Sequence, residues 1–382
     1  MNEIGIIFLL GIILVSNVCV GHTSELKTAE QNKYIEIKSK IIKPNNKDWE
    51  CKIKLKKEDQ LFMGISVFHE KVKIISSDGI LYESKNNFES WNTTDVDIPE
   101  DSYVSSMFFI TSEIGWISIQ KDSEDVLDIN GDESWIYNTT NGGKTWNKQL
   151  NGKTLQIGKI VFTDENNGWA IGNIRVREKG LRTEFYVLHT KNRGENWENI
   201  SDLFKKRYGD FAQDIIPFGL NEAFILSSRH KIYRVSLDEK KVDLIKEFLD
   251  EEQTYIGQLG RFPNGDFWIL GGADSREGRW GVFAVNQSTS WLKYQTDAYL
   301  RRGIFIEDNT LIVSGHSRNG GITEDNLTNQ FLWASSNGGE IWQPICTDKE
   351  LPEVSLFLST EKKNKIWAIG NGSLIYIERK EQ

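Results

Sequence analysis

Apolar and polar positions alternate along most of this chain in short runs, each entered from a polar turn. "GWISI" at Trp116, "GWAIG" at Trp169, "AFILS" at Phe224, "FWILG" at Trp268, "TLIVS" at Leu311 and "IWAIG" at Trp367 form one series, with "KVKIIS" near Val72 as its first member. Their spacing stays between 43 and 56 residues. Alternation with period two predicts strands. Helical periodicity is convincing only in spots such as "DLIKEFL", so little α content is expected.

A second series is carried by a turn that ends in tryptophan. "TTNGGKTW" (Thr139 to Trp146) recurs as "TKNRGENW", "SSNGGEIW" and, more loosely, "SKNNFESW". The markers Trp49, Trp91, Trp146, Trp197, Trp291 and Trp342 are separated by 42, 55, 51, 94 and 51 residues, the long step being two units with one marker lost. A third series lies four and six positions before each turn's Asn: Ile80 and Tyr82, Trp135 and Tyr137, Tyr186 and Leu188, Trp280 and Val282, Phe331 and Trp333. Residues two apart share one face of a strand. All thirteen tryptophans fall into one of the three series, which a chance scatter would not produce.

Each unit therefore reads as four short strands, for example "VSSMFFIT", "GWISIQ", "ESWIYNTT" and "TWNKQL". Units of this length and strand content predict an all-β protein: a seven-bladed β-propeller of four-stranded antiparallel blades. The last unit stops one strand short, whereas "DWECKI" at Trp49 looks like a fourth strand with no unit before it. The N-terminal strand is expected to complete the last blade and remove an open sheet edge.

In the turn itself each residue type has a physical job. Asn141 accepts backbone N–H bonds as an Asx turn, Gly143 permits positive φ, the hydroxyls tie the strands, and Trp146 packs a large flat surface against the sheet. These turns resemble the Asp-box, or bacterial neuraminidase repeat, with Asn in place of Asp. The match covers Thr139 to Trp146, Thr190 to Trp197 and Ser335 to Trp342, is weaker at Ser84 to Trp91, and survives only as Asn286 and Trp291 in the fifth unit. The structural positions so marked are Asn86, Trp91, Asn141, Gly143, Trp146, Asn192, Gly194, Trp197, Asn337, Gly339 and Trp342. Together with the "GW" strands, the arrangement is similar to the photosystem II assembly and stability factor family over residues 45–380. The resemblance implies that the boxes sit between third and fourth strands, opposite the ligand face.

Formal charge is −9 with 26% charged residues, which argues against bulk attraction to nucleic acid or an anionic membrane. The apolar run from Ile4 to about Val15 is too short for a comfortable span and is taken as part of a secretory signal over 1–21, with a retained anchor as the alternative. Residues 22–44 form an N-terminal segment and 45–382 the propeller. The expected location is secreted, periplasmic or at the cell surface. Cys51 and Cys346 then remain, as one disulfide or two free thiols. The histidines are scattered, so neither a metal nor another cofactor is expected.

The loops joining second to third strands, and one blade to the next, carry the basic clusters. Arg175, Arg177 and Arg182 lie in "RVREKGLRTE", Arg207 in "FKKRYGD", Arg276 and Arg279 in "DSREGRW", Arg301 and Arg302 in "AYLRRG", and Arg318 in "HSRNGG". The second unit's loop, "KDSEDVLDINGDE", is acidic. One face would be positive over units three to six, fit to capture an acidic protein or anionic glycan through Arg forks. No catalytic residue is assigned. The expected function is an exported, non-catalytic, monomeric binding or assembly scaffold. The alternative is a carbohydrate-active, sialidase-like hydrolase with a divergent site. Against it, no Arg-Ile-Pro string occurs, the nearest being "GRFP" at Gly260. Asp210 and Asp214 could be cast as paired carboxylates, but an acidic loop is usually just solvated.

Overall fold

A computed structural model describes residues 34–380, apart from 42–47, 69–70, 86–87, 125–127, 129–130, 178–180, 205–209, 249–254, 263–265, 276–277, 288–289, 297, 308–309, 318–330, 347–350, 353 and 360–363. The expected signal segment lies outside these residues, as does Asn86. The described strands form seven sheets. In chain order their first strands are Phe62–Phe68, Tyr103–Phe109, Leu155–Phe162, Ala212–Pro217, Tyr255–Arg261, Ala298–Glu307 and Leu356–Ser359. Each first strand contacts the first strand of the next sheet, and the last contacts Phe62–Phe68, so the sheets stand in a ring as the blades of a β-propeller.

The uniform design of seven four-stranded antiparallel blades, with one strand supplied by the N-terminus, does not hold. Blades five and six are five-stranded, and the added strand of each is parallel. Tyr34–Lys38 pairs in parallel with Ser290–Thr296, and Lys40–Ile41 with Ile341–Ile345. Trp49–Lys56 then pairs antiparallel with Ser373–Arg379, so Trp49 lies in the sheet that holds Trp367. Residues 34–41, taken with the separate segment 22–44, thus belong to the outer edges of the propeller. Ser39 Oγ and Lys40 N donate to Gly339 O and Glu340 O, which docks this stretch on the turn of blade six.

The core is a set of apolar clusters between neighbouring blades. The largest fully buried side chains include Trp116 and Trp169, from second strands, and Trp333 and Trp342. The turn indoles are less uniform than expected. Trp91, Trp146 and Trp197 are only partly buried, whereas Trp342 is 1% exposed. At that edge the backbone of Ile41 pairs in register with Trp342.

One irregularity repeats in six blades. Between Phe62 and Gly64, Val104 and Ser106, Ile157 and Lys159, Ala212 and Asp214, Ile256 and Gln258, and Leu300 and Arg302, the first strand carries one extra residue. Such a bulge bends the strand and re-aims the unpaired residue. The residues just beyond it stitch neighbouring blades together. Ile160 N donates to Ser106 Oγ at 3.3 Å, Lys159 pairs with Asp214, and Leu259 N donates to Asp214 Oδ2 at 2.9 Å. Gln258 exchanges two bonds with the backbone of Gly303.

Candidate binding face

Two faces follow from the strand order. On one, the third strand turns into the fourth. Gly143 N donates to Thr139 Oγ1 at 2.9 Å and Thr145 N to Asn141 Oδ1 at 3.0 Å. The same pair of bonds recurs at Thr190 and Asn192, and at Ser335 and Asn337. Gly143, Gly194 and Gly339 all have φ between 85° and 99°, where a side chain is strained. The turns also clasp the preceding blade. Lys73 Nζ donates to Gly142 O, and both Trp116 Nε1 and Gln149 Nε2 donate to Arg193 O. Asn141→Ala removes an acceptor that organises the turn and should cost about 1–2 kcal/mol, while Asn141→Asp, which keeps it, should be close to neutral in thermal unfolding.

On the opposite face the first strands begin and the second strands end. Here the arginines divide. Arg175 grips the fully buried Asp132 with Nε and Nη2, and this bond raises the guanidinium's already high pKa. Asp132 also accepts Ser123 N at 3.0 Å. The acidic loop of blade two and the basic loop of blade three therefore neutralise each other in part, which loop composition alone did not reveal. Nearby, Tyr103 Oη donates to Gln120 Oε1 at 2.8 Å and to Asp122 Oδ2 at 3.0 Å. Burial, with Asp122 beside it, pushes the phenol pKa upward.

Arg177 and Arg182 sit near the end of the hairpin formed by Gly168–Arg177 and Leu181–Thr190, where Val176 pairs with Arg182. Arg279 lies in the strand Gly278–Gln287, opposite Asp274. Arg207, Arg276 and Arg318 lie outside the described residues. The carboxylates Asp210 and Asp214 are not solvated: they are 3% and 6% exposed. Asp210 accepts Phe211 N, Ser228 Oγ and Arg229 N, and Asp214 joins three blades as described. Among the described residues, no group of three or more His, Cys, Asp and Glu could hold a metal ion.

Arg301 and Arg302 occupy the bulge of blade six. Arg301, the extra residue, is exposed; Arg302 is half-buried and donates from Nη1 to Gly257 O and Arg301 O, each at 3.0 Å. They line a cavity of about 240 Å³ together with Tyr255, Leu300, Ser355 and Asn371, drawn from blades five, six and seven. Tyr255 is 47% exposed, and Gln213 of blade four donates to its hydroxyl. The arginine pair was legible in the sequence; Tyr255, Ser355 and Asn371 were not. A repeat of the first-strand bulge, had it been recognised, would have marked Arg301 as a re-aimed side chain.

Fold and face together define a β-propeller with an arginine-bearing, half-polar mouth. No protein-family model matches the chain, and no curated protein matches it in sequence. Solved structures do. A structure of YCF48 bound to a D1 peptide is 15% identical, with a TM-score of 0.61, over 91% of this chain and all of the other. YCF48 from Cyanidioschyzon merolae is 12% identical, TM-score 0.57, over 87% of this chain and 98% of that one. The extracellular domain of a putative hybrid two-component system from B. thetaiotaomicron is 11% identical, TM-score 0.53, over 83% of this chain and 39% of its own. At these identities the likeness concerns the fold alone.

Proposed function

We propose that this chain is an exported, non-catalytic propeller scaffold that binds an acidic protein segment at the mouth bearing Arg301 and Arg302. The observation that carries this reading is the bulge: it turns Arg301 out of the sheet beside a cavity whose wall combines an exposed tyrosine ring, a leucine and amide and hydroxyl groups. Such a wall suits an extended peptide, with a guanidinium fork for a carboxylate and an aromatic surface for an apolar neighbour. That a propeller of similar shape, YCF48, has been solved with a D1 peptide supports a peptide over a glycan as the ligand. The Cys51–Cys346 disulfide and the apolar N-terminal run support export, since disulfides persist in oxidising compartments.

The test is binding of fluorescent peptides with and without clustered Asp and Glu, beside a polyanionic glycan, at low and high salt. Acidic peptides should bind, salt should weaken them, and Arg301→Ala should reduce affinity by about 1.5–3 kcal/mol, roughly ten- to a hundredfold. Equal binding of neutral peptides, or an unchanged affinity in Arg301→Ala, would remove the mouth from consideration. Turnover of a fluorogenic sialoside would overturn the non-catalytic reading.

A further inference from the structure

The first-strand bulges of blades four, five and six stand in consecutive blades, and their extra residues are Gln213, Gly257 and Arg301. The three differ in kind, yet each shapes the same wall. Gly257 is buried, and a Cβ placed on it would lie 2.9 Å from Tyr255 Cε1 and 2.9 Å from Arg302 Nη1. The missing side chain leaves the space into which a phenol ring and a guanidinium close from two different blades. Arg302 is fixed there by its bond to Gly257 O, and Gln258 ties the same two blades together at Gly303. From blade four, Gln213 Nε2 donates to the Tyr255 hydroxyl.

Held along one edge by Gly257 and at its hydroxyl by Gln213, Tyr255 is still 47% exposed. A tyrosine two residues before a bulge need not be left open. Tyr103 has that position in blade two, and there the side chain is partly buried with its hydroxyl engaged by Gln120 and Asp122. Blade five instead presents its ring to solvent, beside the arginine pair.

A ring fixed in this way has little rotamer freedom left to lose, so stacking on it carries a small entropic cost. Ring-on-ring contact, offset or edge-on, adds to what apolar burial alone provides, and an aliphatic side chain lacks that addition. Because the phenol ring and the guanidinium flank one glycine, the ligand side chains that meet them must be near neighbours in their own chain. We propose that the segment recognised at the mouth carries an aromatic side chain beside its acidic one, with Tyr255 as the residue that selects it and Gly257 as the residue that positions Tyr255 and Arg302. This inference rests on the mouth binding acidic segments and adds which of them bind best.

Affinities of the full chain for short peptides test this: an Asp-rich peptide with an adjacent Phe, the same peptide with Leu in that place, and an uncharged peptide with Phe. The wild type should bind the Asp–Phe peptide about two- to tenfold more tightly than the Asp–Leu peptide. Tyr255→Ala should erase that preference yet keep the salt-sensitive preference for acidic over uncharged peptides, whereas Tyr255→Phe should keep both. Arg301→Ala should do the reverse of Tyr255→Ala, weakening both acidic peptides and leaving their ratio unchanged. In Gly257→Ala the new Cβ meets the far ends of two flexible side chains, so the circular dichroism spectrum and melting midpoint should hold while the ratio falls toward one. Equal affinity of the wild type for the two acidic peptides, a preference that survives Tyr255→Ala, or a ratio unmoved by Gly257→Ala would overturn the proposal and leave the acidic-segment reading standing. Failure of both acidic peptides to bind would overturn the two together.

Discussion

Trp116→Ala should destabilise the protein by about 3–5 kcal/mol, the range for removing a large aromatic from a close-packed core. The indole is fully buried and stacks on Phe162 of the next blade, with ring centroids 3.5 Å apart and planes 11° from parallel. It stands in the cluster that joins blades two and three, among Ile136, Leu155, Ile157, Ile160 and Leu188. Alanine would leave a cavity between two sheets whose backbones are held by their own ladders, so collapse to fill it would be incomplete. The side chain also donates Nε1–H to Arg193 O, and Arg193 has φ of 60°, a strained value for a residue with a Cβ. Gln149 would still satisfy that carbonyl, so the packing loss dominates the polar one. Guanidinium unfolding checks the magnitude, and Trp116→Phe, which keeps a stacking ring, should recover more than half of it. A loss below about 1 kcal/mol for Trp116→Ala would mean that the two blades repack freely, contrary to native packing density.

By contrast, Trp146→Ala should cost less, because Trp146 is only partly buried and meets Phe109 edge-on at 6.0 Å. This ordering shows where the sequence was informative. The "GW" and turn tryptophans marked the strands and blade-to-blade period correctly, because a period-two pattern and a turn of fixed residue types are local properties. How deeply each indole is buried is not local. Trp342, 1% exposed, pairs along its backbone with a strand from roughly three hundred residues earlier, and a seven-residue stretch such as "YIEIKSK" carries no sign of which edge it will join. The mouth was legible to the same extent. Arg301 and Arg302 were marked as one of several basic clusters on a single face, but Tyr255, Ser355 and Asn371 reach the cavity from three different strand ends or turns, with nothing in their neighbours to mark them. Arg175 gave the opposite lesson, since its charge is spent on Asp132, 43 residues away.

Reducing the disulfide, or replacing both cysteines by serine, should lower stability by about 2–5 kcal/mol without changing the folded ligand face. Cys51 lies in the strand Trp49–Lys56 of blade seven, and Cys346 follows the strand Ile341–Ile345 of blade six, with Cα atoms 5.7 Å apart across 295 residues of sequence. A bond that closes so long a loop removes much freedom from the unfolded chain and little from the folded one, where strand pairing already fixes Trp49–Lys56. Trp49, Ile366, Ile375 and Ile377 pack around this junction and keep the strand in place when the covalent tie is gone. The double variant should therefore keep its circular dichroism spectrum and its peptide affinity at room temperature while its guanidinium midpoint falls, and wild type treated with reductant should match it. The first segment to gain hydrogen exchange should be 49–56, because its release opens one blade before the ring as a whole unfolds. An unchanged midpoint would show that the unfolded chain already holds these ends close; a lost spectrum would show that noncovalent pairing is too weak to hold the strand alone.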